Sequence, residues 1–195
     1  MIAIINYRAG NLASVSNALE RLDVDYEITH EPAMLDQAEG VIFPGVGHAY
    51  SAMEALREHR MDKWLRETDK PVLGLCLGMQ LLYESTEEGP CETLGVIPGK
   101  LKKFDTEKGK VPHMGWNNFT DLKDHPLMEG IEADDFFYYV HSYYAPLNEY
   151  TVGSCEYLTP FASVVARDNY MGVQFHPEKS SDPGERLLRN FLDMV

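Results

Sequence analysis

The feature that most constrains this fold is an alternation of short apolar runs with segments of helical periodicity across residues 2–83. The apolar runs predict buried strands at residues 2–6, 24–29, 40–43 and 72–75. The periodic segments predict helices at residues 10–22, 49–68 and 77–83. Strands that alternate with helices in this way indicate an α/β fold, in which a mostly parallel sheet is covered on both faces.

The second half of the chain has a different pattern, in which short strand-like runs are separated by turn residues. Strands are predicted at residues 94–96, 101–104, 115–120, 136–143, 151–157, 162–167 and 170–175. An amphipathic helix is predicted at residues 183–194. The second half is therefore β-rich, and with no linker or repeat between the halves, residues 1–195 predict a single domain.

Composition excludes several classes of protein. The chain has 31 acidic and 17 basic residues, and its net charge of -14 disfavours nucleic acid and anionic membranes as partners. Three cysteines without C-x-x-C spacing favour neither a disulfide framework nor structural zinc, and a cytoplasmic location is expected. The first residues lack the basic start of a signal peptide, and no run is long enough to predict a membrane span.

Cys76 is the candidate nucleophile because it lies where a buried strand is predicted to turn into a helix. Gly74 and Gly78 flank it, and glycine allows a sharp turn and close packing of strand against helix. The helix start contributes free N–H groups and the positive end of its dipole, which favour a thiolate. Cys91 and Cys155 have no comparable sequence context, so structural roles are predicted for them.

A cysteine nucleophile needs a base, and the base needs an orienting acceptor. His176 follows an apolar strand, so a parallel sheet would place it on the same rim as Cys76. Glu178 follows two residues later, and in an extended segment positions i and i+2 point the same way. His176 and Glu178 are therefore predicted as base and orienter; a histidine that only caps the strand is the alternative.

Attack on a carbonyl also requires donors for the developing oxyanion. The N–H of Leu77, directly after Cys76, is one candidate, and the P-G-V-G loop at residues 44–47 can provide the second through Gly47. The chain has no H-E-x-x-H, Walker or G-x-G-x-x-G motif, so neither a metal site nor a cofactor is predicted.

Together these motifs resemble the class I (triad) glutamine amidotransferases. The residues that carry the resemblance are G-L-C-L-G-M-Q around Cys76, the preceding P-G-V-G loop, and Q-F-H-P-E ending at Glu178. The resemblance covers the whole chain and implies a flavodoxin-like three-layer fold with a mostly parallel central sheet. In α/β-hydrolases the acid of the triad precedes the histidine in sequence, whereas here Glu178 follows His176, so the order of the motifs separates this chain from that class.

Four further motifs are similar to those of the glutaminase subunits of imidazole glycerol phosphate synthase. They are N-Y-R-A-G-N-L-A-S-V (6–15), P-H-M-G-W-N (112–117), Y-Y-V-H-S-Y-Y (138–144) and Q-F-H-P-E-K-S (174–180). The resemblance implies that Cys76 forms a γ-glutamyl thioester with glutamine, with His176 and Glu178 completing a triad. It also implies that Gly47 and Leu77 line the oxyanion site and that four residues bind the substrate: Gln80, Glu88, Ser142 and Tyr143.

The same resemblance implies a heterodimer with a cyclase subunit, a (β/α)8 barrel of histidine biosynthesis. That partner would use the released ammonia to make imidazole glycerol phosphate and an aminoimidazole carboxamide ribonucleotide. Six residues, expected to be exposed or half-exposed, are predicted to face it: Tyr7, Asn11, Trp116, Asn117, Tyr138 and Lys179. The alternatives are another triad amidotransferase, a γ-glutamyl cysteine hydrolase, or a catalytically idle regulatory subunit.

Overall fold

A computed structural model describes residues 1–7, 11–89 and 91–195. The predicted helix start at Gly10 lies outside the described residues. The strands are β1 (Ile2–Ile5), β2 (Tyr26–Thr29), β3 (Gly40–Phe43), β4 (Val72–Leu75), β5 (Ser85–Thr86), β6 (Cys91–Glu92), β7 (Lys100–Lys103), β8 (His113–Asn117), β9 (Asp121–Leu122), β10 (Phe137–His141), β11 (Tyr143–Tyr144), β12 (Thr151–Tyr157), β13 (Thr159–Arg167) and β14 (Tyr170–Val173). The α-helices are α1 (Leu12–Arg21), α2 (Pro32–Leu35), α3 (Ala49–Glu58), α4 (Met61–Glu67), α5 (Leu77–Leu81) and α6 (Ser181–Asp193).

An eight-stranded sheet forms the centre of the molecule, in the order β2-β1-β3-β4-β14-β13-β12-β9. The pairings from β2 to β14 are parallel, and those from β14 to β9 are antiparallel. Two smaller sheets accompany it, one of β10 and β8 and one in the order β11-β7-β5-β6. The expected α/β class and β-rich second half are confirmed.

Successive side chains of β1 pack alternately into two hydrophobic clusters, one on each face of the sheet, so both faces are covered. Ile2 and Ile4 pack in a cluster that includes side chains of α1 and α6, such as Leu19 and Phe191. Ala3 and Ile5 belong to a second cluster with side chains of α3 and α4. Because all four residues of β1 are buried, the strand shows a continuous apolar run rather than an alternating pattern.

The order of the strands brings three loops to one edge of the sheet. β4 pairs in parallel with β3 on one side and with β14 on the other, so the carboxyl ends of all three point the same way. The P-G-V-G loop follows β3, Cys76 follows β4, and the segment leading to His176 follows β14. Their adjacency is therefore a consequence of the sheet topology.

Some predicted elements were wrong. Residues 94–96 form no strand, because the N–H groups of Leu94 and Gly95 donate to the carbonyls of Leu81 and Tyr83 at the end of α5. The helix predicted at residues 49–68 is two helices, broken where Arg60 has a φ of 58°. The strand predicted at residues 136–143 divides into β10 and β11, which lie in different sheets. Within the described ranges no helix is long and apolar enough to cross a membrane.

Candidate active site

Cys76 lies on the turn between β4 and α5, where the sequence predicts it. Its backbone has a φ of 51° and a ψ of -107°, a conformation that is rare for residues with a side chain. Its N–H donates to the Val173 carbonyl of β14 at 2.8 Å, which ties the turn to the neighbouring strand. The residue is 6% exposed. Cys76 is thus nearly buried and held in a strained turn, a feature that is concentrated at functional sites.

The glycines around Cys76 allow α5 to pack directly on the sheet. A Cβ on Gly78 would overlap the carbonyl oxygen of Phe43, and one on Gly74 would lie 2.7 Å from the backbone nitrogen of Met79. Both obstructions are backbone atoms, so rotating a side chain cannot relieve them. The close approach predicted from the glycine spacing is therefore present at both positions.

His176 and Glu178 form a buried pair at the end of β14. Nδ1 of His176 lies 2.8 Å from Oε1 of Glu178, and the two side chains are 3% and 2% exposed. Pro177–Lys179 is a single 3-10 turn, so the pair is brought together by a tight turn and not by the extended segment that the sequence suggested. The His176 N–H donates to the Tyr138 carbonyl at 2.9 Å, which fixes the turn against β10.

Burial alone would lower the pKa of His176, but its interactions with Cys76 and Glu178 raise it to about 10. A carboxylate on one side and a thiolate on the other both favour the imidazolium form. Nε2 of His176 has no hydrogen-bond partner of ordinary geometry. This ring nitrogen is therefore free to exchange a proton in the cavity that His176 shares with Cys76.

A cavity of about 270 Å³ opens at this edge of the sheet. Its lining contains Cys76 and His176, whereas Glu178 lies behind the imidazole. It also contains all six residues predicted to line the oxyanion site or to bind the substrate: Gly47, Leu77, Gln80, Glu88, Ser142 and Tyr143. The structure therefore brings together residues that are far apart in the chain, from Gly47 to His176.

Two of the predicted substrate residues are engaged with the protein itself. Nε2 of Gln80 donates to the Tyr143 carbonyl at 3.0 Å and to Oε1 of Gln174 at 2.9 Å, so both of its hydrogens are used. Oε2 of Glu88 accepts from the N–H of Ala49, the first residue of α3, at 2.7 Å. A ligand would therefore contact Gln80 through its oxygen and Glu88 through its remaining acceptor capacity.

The two predicted oxyanion donors differ in their state. The Leu77 N–H donates to the Gly45 carbonyl at 3.3 Å, so it is already occupied. Gly47 has a φ of 102°, and a Cβ there would meet no atom within 4 Å, so glycine is required for its backbone and not for space. Of the two predicted donors, the Leu77 N–H is therefore not free in this structure, because a carbonyl of the P-G-V-G loop occupies it.

Tyr7 was predicted to be exposed or half-exposed, and this prediction is wrong. Tyr7 is fully buried, and its hydroxyl donates to the Pro44 carbonyl at 2.8 Å. Its ring packs against Phe43 at 5.4 Å between centroids. Because Tyr7 lies two residues beyond β1 and is buried, it supports the P-G-V-G loop from beneath and cannot contact a partner.

The other five predicted interface residues are at least partly exposed. Trp116 is 52% exposed and Lys179 is also exposed, while Tyr138 is half-buried and pairs with Trp116 across β8 and β10. The side chain of Asn11 accepts from the Ser14 N–H at the start of α1. Nδ2 of Asn117 donates to the Glu156 carbonyl, so both asparagines have intramolecular partners as well.

His113 on β8 and His141 on β10 are cross-strand partners whose rings contact each other. Nδ1 of His113 lies 2.9 Å from Nε2 of His141, and Nδ1 of His141 lies 2.8 Å from the Tyr143 carbonyl. Burial lowers the pKa of His113 to about 4 and that of His141 to about 3. Both rings are therefore neutral at neutral pH. His141 lines the cavity, and His113 supports it through this contact. Gln174 begins the Q-F-H-P-E motif, but its spacing predicted no role for it.

The chain is similar to known proteins over nearly its whole length. The family model described as "Glutamine amidotransferase class-I" matches residues 3–195. "Imidazole glycerol phosphate synthase subunit HisH" of Bacteroides fragilis (strain YCH46) is 46% identical over 195 residues, which is 99% of each chain. The protein of the same name from Archaeoglobus fulgidus is 45% identical over 197 residues, covering 100% of this chain and 99% of that one.

Two solved structures share the fold. One, titled "Crystal structure of glutamine amidotransferase", has a TM-score of 0.74 at 20% identity and covers 100% of this chain and 98% of the other. Another, "Structure of PurLQS from Thermotoga maritima", has a TM-score of 0.70 at 18% identity and covers 99% and 97%. With the family model and the relatives above, the chain belongs to the class-I glutamine amidotransferase family.

Proposed function

We propose that this chain is the glutaminase subunit of an imidazole glycerol phosphate synthase, formed as one amidotransferase domain over residues 1–195. The observation that carries the proposal is the shared cavity of Cys76 and His176, with Glu178 hydrogen-bonded behind the imidazole. The names of the relatives that match over nearly the whole chain support the choice of this synthase over other amidotransferases. The reaction is hydrolysis of glutamine to glutamate and ammonia.

The chemistry follows from the positions of three side chains. The Cys76 thiolate attacks the side-chain amide carbon, and His176 then donates a proton to the nitrogen as the C–N bond breaks, which releases ammonia. His176 next takes a proton from water, which attacks the γ-glutamyl thioester and expels the thiolate as glutamate forms. Glu178 keeps the imidazole oriented and stabilises its charged form.

The remaining cavity residues suit the two charged ends of an amino acid. The Glu88 carboxylate and Oε1 of Gln80 are acceptors for the substrate's ammonium group. Ser142 lies between β10 and β11 and Tyr143 begins β11, where their donors can reach the substrate's carboxylate. For the oxyanion, the Gly45 carbonyl must first release the Leu77 N–H, and the residues near Gly47 must supply a second donor.

The proposed partner is a cyclase subunit with a (β/α)8 barrel, which would bind the outer face of the β8–β10 sheet. Met114 and Trp116 are 61% and 52% exposed on β8, and their cross-strand neighbours are Val140 and Tyr138. Val140 also lines the cavity, so this apolar surface adjoins the site of ammonia release. The proposed interface includes Asn11, Asn117 and Lys179, but Tyr7 is no longer part of it.

A glutaminase assay with and without the cyclase tests this proposal. We expect low activity for the chain alone and an increase of about tenfold or more when the cyclase and its nucleotide ligand are added. The physical reason is that the Leu77 N–H is occupied in the isolated chain. Full activity without the partner would refute the coupling, and it would favour a stand-alone γ-glutamyl hydrolase.

Two variants of exposed residues test whether the cyclase binds the β8–β10 face. Trp116→Ala removes an exposed aromatic side chain from the proposed interface and is expected to raise the cyclase concentration needed for activation. Leu147→Ala removes a side chain that is 50% exposed, in the segment between β11 and β12, and is expected to leave that concentration unchanged. Equal effects of the two changes would argue against a cyclase on the β8–β10 face.

A further inference from the structure

Gln174 is a fully buried polar side chain that the proposed mechanism does not use. It follows β14 directly and lies two positions before His176. Its Nε2 is 3.7 Å from Sγ of Cys76, within the range of an N–H···S hydrogen bond, and its Oε1 accepts from Gln80. Because a buried amide needs partners for both of its ends, the thiol accounts for one end of Gln174 and Gln80 for the other.

The orientation of the Gln174 amide is determined by the backbone. The Tyr143 carbonyl can only accept, so the end of Gln80 that faces it must be the NH₂ group. The same NH₂ group faces Gln174, which must therefore present its oxygen to Gln80. This leaves the NH₂ group of Gln174 directed at Sγ. A reversed amide would place two donors or two acceptors together at one of these contacts.

A donor at this position distinguishes the two protonation states of Cys76. The thiol form can donate its proton to the Val140 carbonyl, which lies 3.9 Å from Sγ. The thiolate form cannot donate, and the same carbonyl then opposes its charge. An N–H group favours the thiolate, because hydrogen bonds to ionised groups are stronger than those to neutral ones.

We propose that Gln174 stabilises and positions the thiolate of Cys76 through its side-chain N–H, and that Gln80 holds the Gln174 amide in the required orientation. The inference rests on the proposed role of Cys76 as the nucleophile. It also gives Gln80 a second task, that of a positioning residue whose Nε2 never contacts the substrate. Among the described residues, His176 and Tyr7 interact electrostatically with Cys76, and Glu88 and His141 share its cavity. Tyr7 stays protonated because burial, and then the Cys76 charge, raise its pKa.

The rate of alkylation of Cys76 by iodoacetamide, measured by mass spectrometry across a pH series, tests the proposal without any turnover of glutamine. Gln174→Met keeps the size of the side chain and removes the donor. We expect the midpoint of the pH profile to rise by about one unit, which lowers the rate about tenfold below that midpoint. An unchanged midpoint in a folded variant would overturn the proposal.

Ser163→Ala is the matched control for loss of a buried hydrogen bond. Ser163 lies on β13, the strand next to β14, and is as buried as Gln174. Its hydroxyl forms a hydrogen bond of 2.6 Å with the hydroxyl of Tyr139. This change is expected to lower stability and leave the alkylation midpoint in place. If Ser163→Ala moves the midpoint as far as Gln174→Met does, the effect is one of general packing and the proposal fails.

A measurement on the unaltered protein covers the case in which Gln174→Met does not fold. The side-chain amide resonance of Gln174, followed by nuclear magnetic resonance, is expected to shift with the same midpoint as the thiolate absorbance of Cys76. An amide resonance that does not change through that transition would overturn the proposal. Because neither readout requires glutamine hydrolysis, its failure would be distinct from failure of the proposed glutaminase function.

Discussion

Cys76→Ala is expected to abolish glutamine-dependent product formation by the reconstituted synthase, with a loss of about 10⁴-fold or more. The change removes Sγ, to which the γ-glutamyl group would be joined, and no thioester can form. Alanine keeps the Cβ, so the turn with a φ of 51° at this position changes little. Glutamate release and product formation, each measured with saturating glutamine, are the two readouts.

The same variant carries its own positive control. Product formation from added ammonia is expected to be retained, since that reaction needs only the cyclase. Cys91→Ala is the matched control, because Cys91 has the same 6% exposure as Cys76. Burial raises the pKa of the Cys91 thiol, which makes it a poor nucleophile. Glutaminase activity that persists in Cys76→Ala but not in Cys91→Ala would show that the nucleophile is misassigned.

Glu178→Gln is expected to lower kcat for glutamine hydrolysis by about 10²- to 10⁴-fold. The amide retains an acceptor for Nδ1 of His176 at nearly the same position, but it has no charge. The pKa of His176, which Cys76 and Glu178 now raise to about 10, will therefore fall. Less imidazolium is then present at neutral pH to pair with the thiolate, and less acid is available to protonate the departing nitrogen.

The control for Glu178→Gln is the same chemical change at the surface. Glu185→Gln removes a carboxylate that pairs with Arg21 at 2.7 Å on an exposed part of α6, where an ion pair contributes little. It is expected to leave kcat unchanged. If kcat of Glu178→Gln falls by less than about threefold, the role of Glu178 as orienter is contradicted. A buried carboxylate 2.8 Å from the imidazole should stabilise its charged form, so removing that charge should lower kcat.

Local spacing predicted the parts of the site that depend on neighbouring residues. Glycines on either side of Cys76 predict a tight strand-to-helix turn, and the separation of His176 from Glu178 by one proline predicts that the two side chains are close. The contact between His176 and Glu178 was predicted, but the backbone conformation that makes it was not. A 3-10 turn and an extended segment can both bring these two side chains together. The alternation of strands and helices is also a pattern of neighbouring residues, and it predicted the parallel half of the sheet.

Features that depend on distant residues were missed or misjudged. Tyr7 was predicted to be exposed because it lies in a motif shared with the family, whereas the topology buries it beneath the loop that follows β3. Gln174 meets Gln80, which is 94 residues away in the chain. A glutamine has no spacing signature of its own, and only the parallel pairing of β4 with β14 brings it to the thiol.

The most direct test of the central claim follows the amide nitrogen of glutamine. The chain and the cyclase subunit are supplied with glutamine that carries heavy nitrogen in its amide, together with an excess of unlabelled ammonium in the solvent. If Cys76 releases ammonia at a site adjoining the partner, the imidazole product will carry the heavy nitrogen. Product that contains only solvent nitrogen while glutamate accumulates would contradict the account.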